Sequence, residues 1–325
     1  MEELVRVENL KKYFQTPVGT VHAVDDVSFT IGKGKTIGVV GESGCGKTTL
    51  GRTVLRLIEA TSGHIYFEGE DILQYKGAQM KKLRREMQII FQDPYASLDP
   101  RMSVERIISE PLRANGACKT KSELNDRVHE IMKVVGVAER IANAYPHELD
   151  GGRRQRVGIA RALALNPKFV VCDEPVSSLD VSIQAQILNL LMDIQDECGL
   201  SYMFVTHDLS VVKHISNDII VMYLGMIAEK APTAELFENQ LHPYTKALLN
   251  AIPIPELGAR DKKHEPIRGE VTSPIDPKPG CRFASRCRFA KKECFAETPF
   301  ASHAALMNGS SVFPFVRFAD MLFLK

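Results

Sequence analysis

The stretch Gly41-Glu42-Ser43-Gly44-Cys45-Gly46-Lys47-Thr48 constrains this chain more than any other. Its spacing, G-x-x-x-x-G-K-[ST], is that of a loop whose backbone N–H groups curl around phosphates. Thr36 to Val40 before it is short, apolar and β-rich and reads as a buried strand, while Thr49 to Ile58 after it reads as a helix. The loop thus stands between a strand end and a helix start, where glycines permit the turn and the helix N-terminus adds partial positive charge. In a loop of this kind Lys47 reaches the β- and γ-phosphates of a nucleotide, and the Thr48 hydroxyl holds Mg2+.

Composition narrows the rest. The 325 residues suffice for one large domain or two modest ones, and a net charge of +1 gives no field for a polyanion, so nucleic acid is not a favoured partner. Met1 to Lys12 is too charged for a signal peptide, and no run of 18 apolar residues is long enough to span a membrane. Seven cysteines are scattered, three of them late; beside a nucleotide-binding loop they argue against disulfides and leave a metal site open.

Leu4 to Val7, Val27 to Ile31, Ser62 to Glu68 and Met87 to Phe91 read as strands. Gln92-Asp93-Pro94-Tyr95 breaks the pattern, and Ser97-Leu98-Asp99-Pro100 reads as a turn. From Ser103 to Ala164 the apolar period is helical, carried by Val104, Ile107, Ile108, Val128, Ile131, Met132 and Val135, as in a helical insertion. Phe169 to Cys172 is an unbroken apolar run, the pattern of a strand buried on both faces. Ser182 to Glu197 follows as a helix, then strands over Tyr202 to Val205 and Ile219 to Met222; strands alternating with helices give an α/β sheet. After about Ile254 prolines crowd a segment without periodicity, a linker or extended tail.

Asp173, ending the bare apolar run, is placed for a second Mg2+ contact, and Glu174 for a general base that polarises a water against the γ-phosphate. His242 to Leu249 reads as a capped surface helix.

Taken together, Gly41 to Thr48, Gln92, Leu149-Asp150-Gly151-Gly152-Arg153, Phe169 to Glu174, Ser178-Leu179-Asp180 and His207 resemble, in order and spacing, the motifs of an ABC-transporter ATPase. The match runs over about Leu4 to Ile254. In that family these are the Walker A loop, Q-loop, signature motif, Walker B strand, D-loop and switch histidine. The resemblance implies a P-loop NTPase (RecA-like) α/β core with an antiparallel β subdomain and a helical subdomain at about 93–165. The ATPase domain would span 1–254, with a small Cys-rich extension at 255–325. It also implies ATP and Mg2+ as ligands, with Gly41 to Thr49 on the phosphates and Thr48, Gln92 and Asp173 near the metal. Glu174, His207 and Gln92 would act in catalysis, and Tyr13, with Phe14 as the alternative, would stack on adenine.

Phe91 to Met102, Asp208 to Val212, His242 to Leu249 and the cysteine-bearing tail are similar to ATPases of dipeptide and oligopeptide importers, of the F type. A nickel or other small-solute importer is the alternative. The implied partners are a second ATPase of the D type, two transmembrane permease subunits and, through them, an extracytoplasmic peptide-binding protein; in isolation the alternative is a homodimer. The implied place is the cytoplasmic face of the cell membrane, peripherally bound.

Two features depart from the family. Asp150 and Arg153 stand where the signature usually carries Ser and Gln, and a carboxylate there repels a γ-phosphate. Related tails hold an iron–sulfur cluster (4Fe-4S), which takes four thiolates. Here Cys281, Cys287 and Cys294 are the tail's cysteines, and the ending from Ser311 to Lys325 is unlike the family's, so a three-cysteine cluster and free thiols both stay open.

Overall fold

The structure is a computed structural model and describes residues 2–251, 269, 272–296 and 311–312. The chain opens with two long strands, β1 (Glu3–Thr16) and β2 (Gly19–Gly32), then β3 (Thr36–Val40), α1 (Lys47–Val54), β4 (Ser62–Phe67) and β5 (Glu70–Asp71). There follow α2 (Gly77–Glu86), β6 (Met87–Ile90), α3 (Pro94–Ser97), α4 (Val104–Asn115), α5 (Lys121–Val134) and α6 (Gly151–Leu163). The second half holds β7 (Phe169–Asp173), α7 (Val181–Cys198), β8 (Ser201–Val205), α8 (Leu209–Ile215), β9 (Asp218–Tyr223), β10 (Met226–Pro232), α9 (Thr233–Glu238) and α10 (Pro243–Asn250). These elements form two compact units.

One unit contains Glu68–Val205 with two short segments from the first strands. Its β6, β7 and β8 run parallel, Met87 opposite Phe169 and Phe169 opposite Ser201. All five residues of β7 and of β8 are buried, as continuous apolar runs require. The helical period resolves into three helices. α4 buries Val104, Ile107, Ile108 and Leu112 and ends at Gly116 in the left-handed region. α5 starts at Thr120, whose hydroxyl accepts from Glu123 N–H, and α6 starts at Asp150.

The other unit contains Val5–Thr30, Ile37–Phe67 and the described residues from Thr206 onward. β1 pairs antiparallel with β4, Val5 opposite Phe67 and Lys11 opposite Ser62. β3 runs parallel to β9, Val40 opposite Val221, and β9 turns antiparallel into β10.

Three elements differ most from the sequence expectation: β2 starts at Gly19 instead of Val27, and β1 and α1 change their ends. β1 runs on to Thr16 instead of stopping at Val7. A bulge between Glu8 and Lys11, with Asn9 at φ 45°, shifts the buried positions from Val5 and Val7 to Leu10, which breaks the two-residue alternation. α1 ends at Val54, not Ile58: Arg56 takes φ 55° and Leu57 N–H bonds back to Arg52 C=O, a left-handed helix end. The expected boundary at 254/255 and most of the tail's ending lie outside the described residues.

Candidate active site

The phosphate loop leaves β3 at Gly41 and enters α1 at Lys47. Gly46, the N-cap of α1, has φ 106°, and a Cβ there would lie 2.0 Å from Ala23 C=O, so only glycine fits. Gly44, at φ 76°, adopts a conformation that side-chain-bearing residues rarely take, and the space where its Cβ would stand is open. The N-cap of α1 is a glycine and brings no capping side chain, so the helix start meets an anion with backbone and its partial positive charge. Lys47 is buried, and a buried ammonium must find acceptors. Its Nζ donates to Gly41 C=O at 2.8 Å and Glu42 C=O at 3.0 Å, tying the loop to itself. A glycine loop, a helix start without a capping side chain and a buried ammonium fit a polyphosphate.

Tyr13 lies on β1 with its ring stacked on His22, centroids 4.0 Å apart. Its hydroxyl donates to Asp25 Oδ1 at 2.5 Å. Burial and then that hydrogen bond push the phenol up. Burial pushes Asp25 up as well, but hydrogen bonds from Tyr13 and His22 and the charge of Arg282 outweigh it and hold the carboxyl below its ordinary value. Phe14 is exposed, with Lys12 Nζ 4.7 Å from its ring centroid.

In the unit of the parallel β6–β8 strands, Asp173 ends β7 and is buried. Glu174 follows at φ 47°, an uncommon conformation for a side-chain-bearing residue, fixed by its N–H bond to Val205 C=O at 2.9 Å. Gln92 Nε2 donates to Glu174 Oε2 at 3.0 Å, so two of the expected catalytic residues meet. Beyond them, Gln184 Nε2 donates to Val176 C=O and Leu179 C=O, holding the Ser178-Leu179-Asp180 turn. A Cβ on Gly152 would lie 2.9 Å from Ile183, so the glycines that open α6 pack against the start of α7. His207, in the other unit, is exposed between Thr206, whose N–H bonds Val39 C=O, and Asp208, which caps α8.

Asp150 is exposed but not loose. Its Oδ1 accepts from Arg153 N–H at 2.7 Å, capping α6, and its Oδ2 lies 3.4 Å from Arg153 Nε. Leu149 before it is buried.

The tail cysteines give no support to a cluster. Among the described residues no group of three or more His, Cys, Asp or Glu is placed to hold a metal ion, and all three cysteines are free. Burial pushes the Cys281 thiol up to about 11 and raises Cys287. Mg2+ is a different case, since it is usually held by one or two carboxylates together with substrate phosphates and water rather than by an all-protein cage.

Sequence reasoning missed four residues around the loop: Asp25, Tyr244, Arg282 and Arg286. Glu42 N–H donates to the Tyr244 hydroxyl at 2.9 Å, and Arg286 grips the Glu42 carboxylate. The helix start at His242 is no surface cap. His242, Pro243, Tyr244 and Thr245 are buried, and burial pushes the His242 ring down to about 3, so it stays neutral and its Nδ1 accepts from Tyr244 N–H. The one signal for this was the aromatic Tyr244 inside a short polar segment.

The ABC transporter family model matches residues 24–177, and the model for the oligopeptide/dipeptide transporter C-terminal region matches residues 228–294. The chain is 56% identical to the oligopeptide transport ATP-binding protein OppF of Bacillus subtilis, over 78% of this chain and 84% of that one. It is 49% identical to OppF of Salmonella typhimurium, over 89% and 87%. Among solved structures it is similar to the ATP-binding cassette MJ0796 in a dimeric post-hydrolysis state bound to ADP and Pi, with TM-score 0.65 and 28% identity over 71% of this chain and 99% of that one.

Proposed function

The chain belongs to the ABC transporter family, in its oligopeptide/dipeptide branch, and from that premise we propose how it binds ATP, hydrolyses it and couples the hydrolysis to peptide import. It is the ATPase subunit of a peptide importer. The observation that carries the proposal is Lys47, buried in its own glycine loop at the start of α1. On ATP binding, Lys47 exchanges the carbonyls of Gly41 and Glu42 for phosphate oxygens, and the N–H groups from Ser43 to Thr49 take the rest. Tyr13, steadied by His22 and Asp25, stacks on the adenine.

Thr48, Asp173 and Gln92 would hold Mg2+, which would supply charge to neutralise the phosphates. Glu174 takes a proton from the attacking water, and its bond from Gln92 aims the carboxylate. His207 donates to the γ-phosphate. Such cassettes work in pairs, each phosphate loop facing the partner's signature loop. Here the partner is a second, D-type ATPase, the pair docks on two permease subunits, and these receive peptide from an extracytoplasmic binding protein. The ATPase domain spans 1–254 and the extension 255–325. Among the described residues no helix is long and apolar enough to cross a membrane, which fits a peripheral subunit on the cytoplasmic face.

The test is peptide uptake by cells lacking this subunit. The wild-type gene restores uptake of an oligopeptide, and Lys47→Ala does not. Uptake restored by Lys47→Ala overturns the proposal.

A further inference from the structure

The tail segment that carries the cysteines is packed against the phosphate loop by two arginines, four residues apart. Arg286 binds both Glu42 oxygens, Nη1 to Oε2 at 2.9 Å and Nη2 to Oε1 at 3.2 Å, and Nη1 also donates to the Tyr223 hydroxyl at 3.3 Å. Glu42 is the first variable residue of the loop, and its C=O and N–H are engaged by Lys47 and Tyr244. Arg282 donates to Asp25, the acceptor of the Tyr13 hydroxyl, and to Leu224 C=O. Both guanidinium side chains are nearly buried, at 6% and 8% exposure, so these pairs are shielded from solvent. Between them Phe283 is buried, its ring centroid 5.3 Å from that of Tyr223 and 5.4 Å from that of Tyr244, which anchors the segment.

Glu42 puts a carboxylate at the mouth of a loop that must accept a polyphosphate. Unpaired, it repels the ligand; paired in bidentate fashion, its charge is neutralised and its backbone is held. We propose that the segment from Cys281 to Cys287 braces the nucleotide site in cis, Arg286 as the positioning residue of the phosphate loop and Arg282 as that of Tyr13. The inference rests on the reading of Gly41 to Thr48 as the nucleotide site. It gives the C-terminal region a task in ATP affinity that needs no metal.

The test uses the full-length subunit and titration calorimetry with Mg-ATP and with Mg-tripolyphosphate, which has the phosphates without the base. Arg286→Met weakens both ligands about tenfold, within the range of coupling between contacting charged residues. Adding Glu42→Gln to it restores most of the affinity, because the carboxylate left bare is gone. Arg282→Met weakens ATP several-fold and leaves tripolyphosphate within about twofold. A tail that merely stabilises the fold gives a lower melting temperature in each variant, no rescue by Glu42→Gln and no difference between the two ligands; that result overturns the proposal. So does unchanged ATP affinity in Arg286→Met. If the wild-type subunit binds neither ligand, the nucleotide-site reading falls as well.

Discussion

The chain presents two glycine-rich helix starts, and they are satisfied in opposite ways. At α1 the N-cap is Gly46, no side chain caps the helix, and Lys47 folds back on the carbonyls of its own loop. At α6 the N-cap is Asp150, whose carboxylate takes the Arg153 N–H and lies beside the Arg153 guanidinium. A helix N-terminus binds anions because its first N–H groups lack partners. α1 places no carboxylate at its N-cap, whereas α6 spends part of that capacity on its own carboxylate and adds negative charge there. The two helix starts therefore differ in charge at the cap. We propose that the ATP site built on this phosphate loop is the active one, and that the site borrowing this signature loop is slow.

The largest expected effect breaks the α1 side. Glu174→Gln in the assembled transporter lowers ATP hydrolysis at least about a hundredfold while ATP still binds, since general-base catalysis contributes at least that much. Steady-state ATPase assays and nucleotide titration read the two quantities, and near-normal turnover refutes the assignment.

A second experiment sharpens the α6 side. Asp150→Ala removes a side-chain cap and lowers the stability of the subunit by about 1 kcal/mol, as loss of an N-cap does. Asp150→Ser keeps a capping oxygen and costs less. Urea unfolding curves decide it; equal stability of all three proteins would show that the cap seen at α6 contributes nothing.

The smallest effect is a pH dependence beside the phosphate loop. Asp25 is held below its ordinary carboxylate value of 3.8 by Tyr13, His22 and Arg282, against its burial. A group with a depressed folded value contributes stability that is present above the unfolded value and lost as pH falls through the folded one. Below about pH 4 the wild type therefore loses stability faster than Asp25→Asn, whose amide does not titrate. Parallel melting curves for the two proteins down to pH 3 would contradict this.

How much of this was legible in the sequence depended on how local each feature is. The phosphate loop was fully legible, because its chemistry lies in eight consecutive residues between a strand and a helix. The departure at Asp150 was legible as a charge but not as a cap, since capping depends on the backbone of Arg153. The bulge at Asn9 hid half of β1 by shifting its alternation. The brace was invisible, because Arg286 and Glu42 are 244 residues apart and Arg282 and Asp25 257. The tail cysteines drew attention away from the arginines that flank them.

The inequality of the two ATP sites shows in the ATPase rate of the assembled transporter carrying Asp150→Ser with Arg153→Gln. Relieving the carboxylate at a site where phosphate charge must be stabilised brings the second site into use, so total turnover rises by up to about twofold. A rate that stays the same or falls would mean that the two sites are equivalent, and that the capped start of α6 is no handicap.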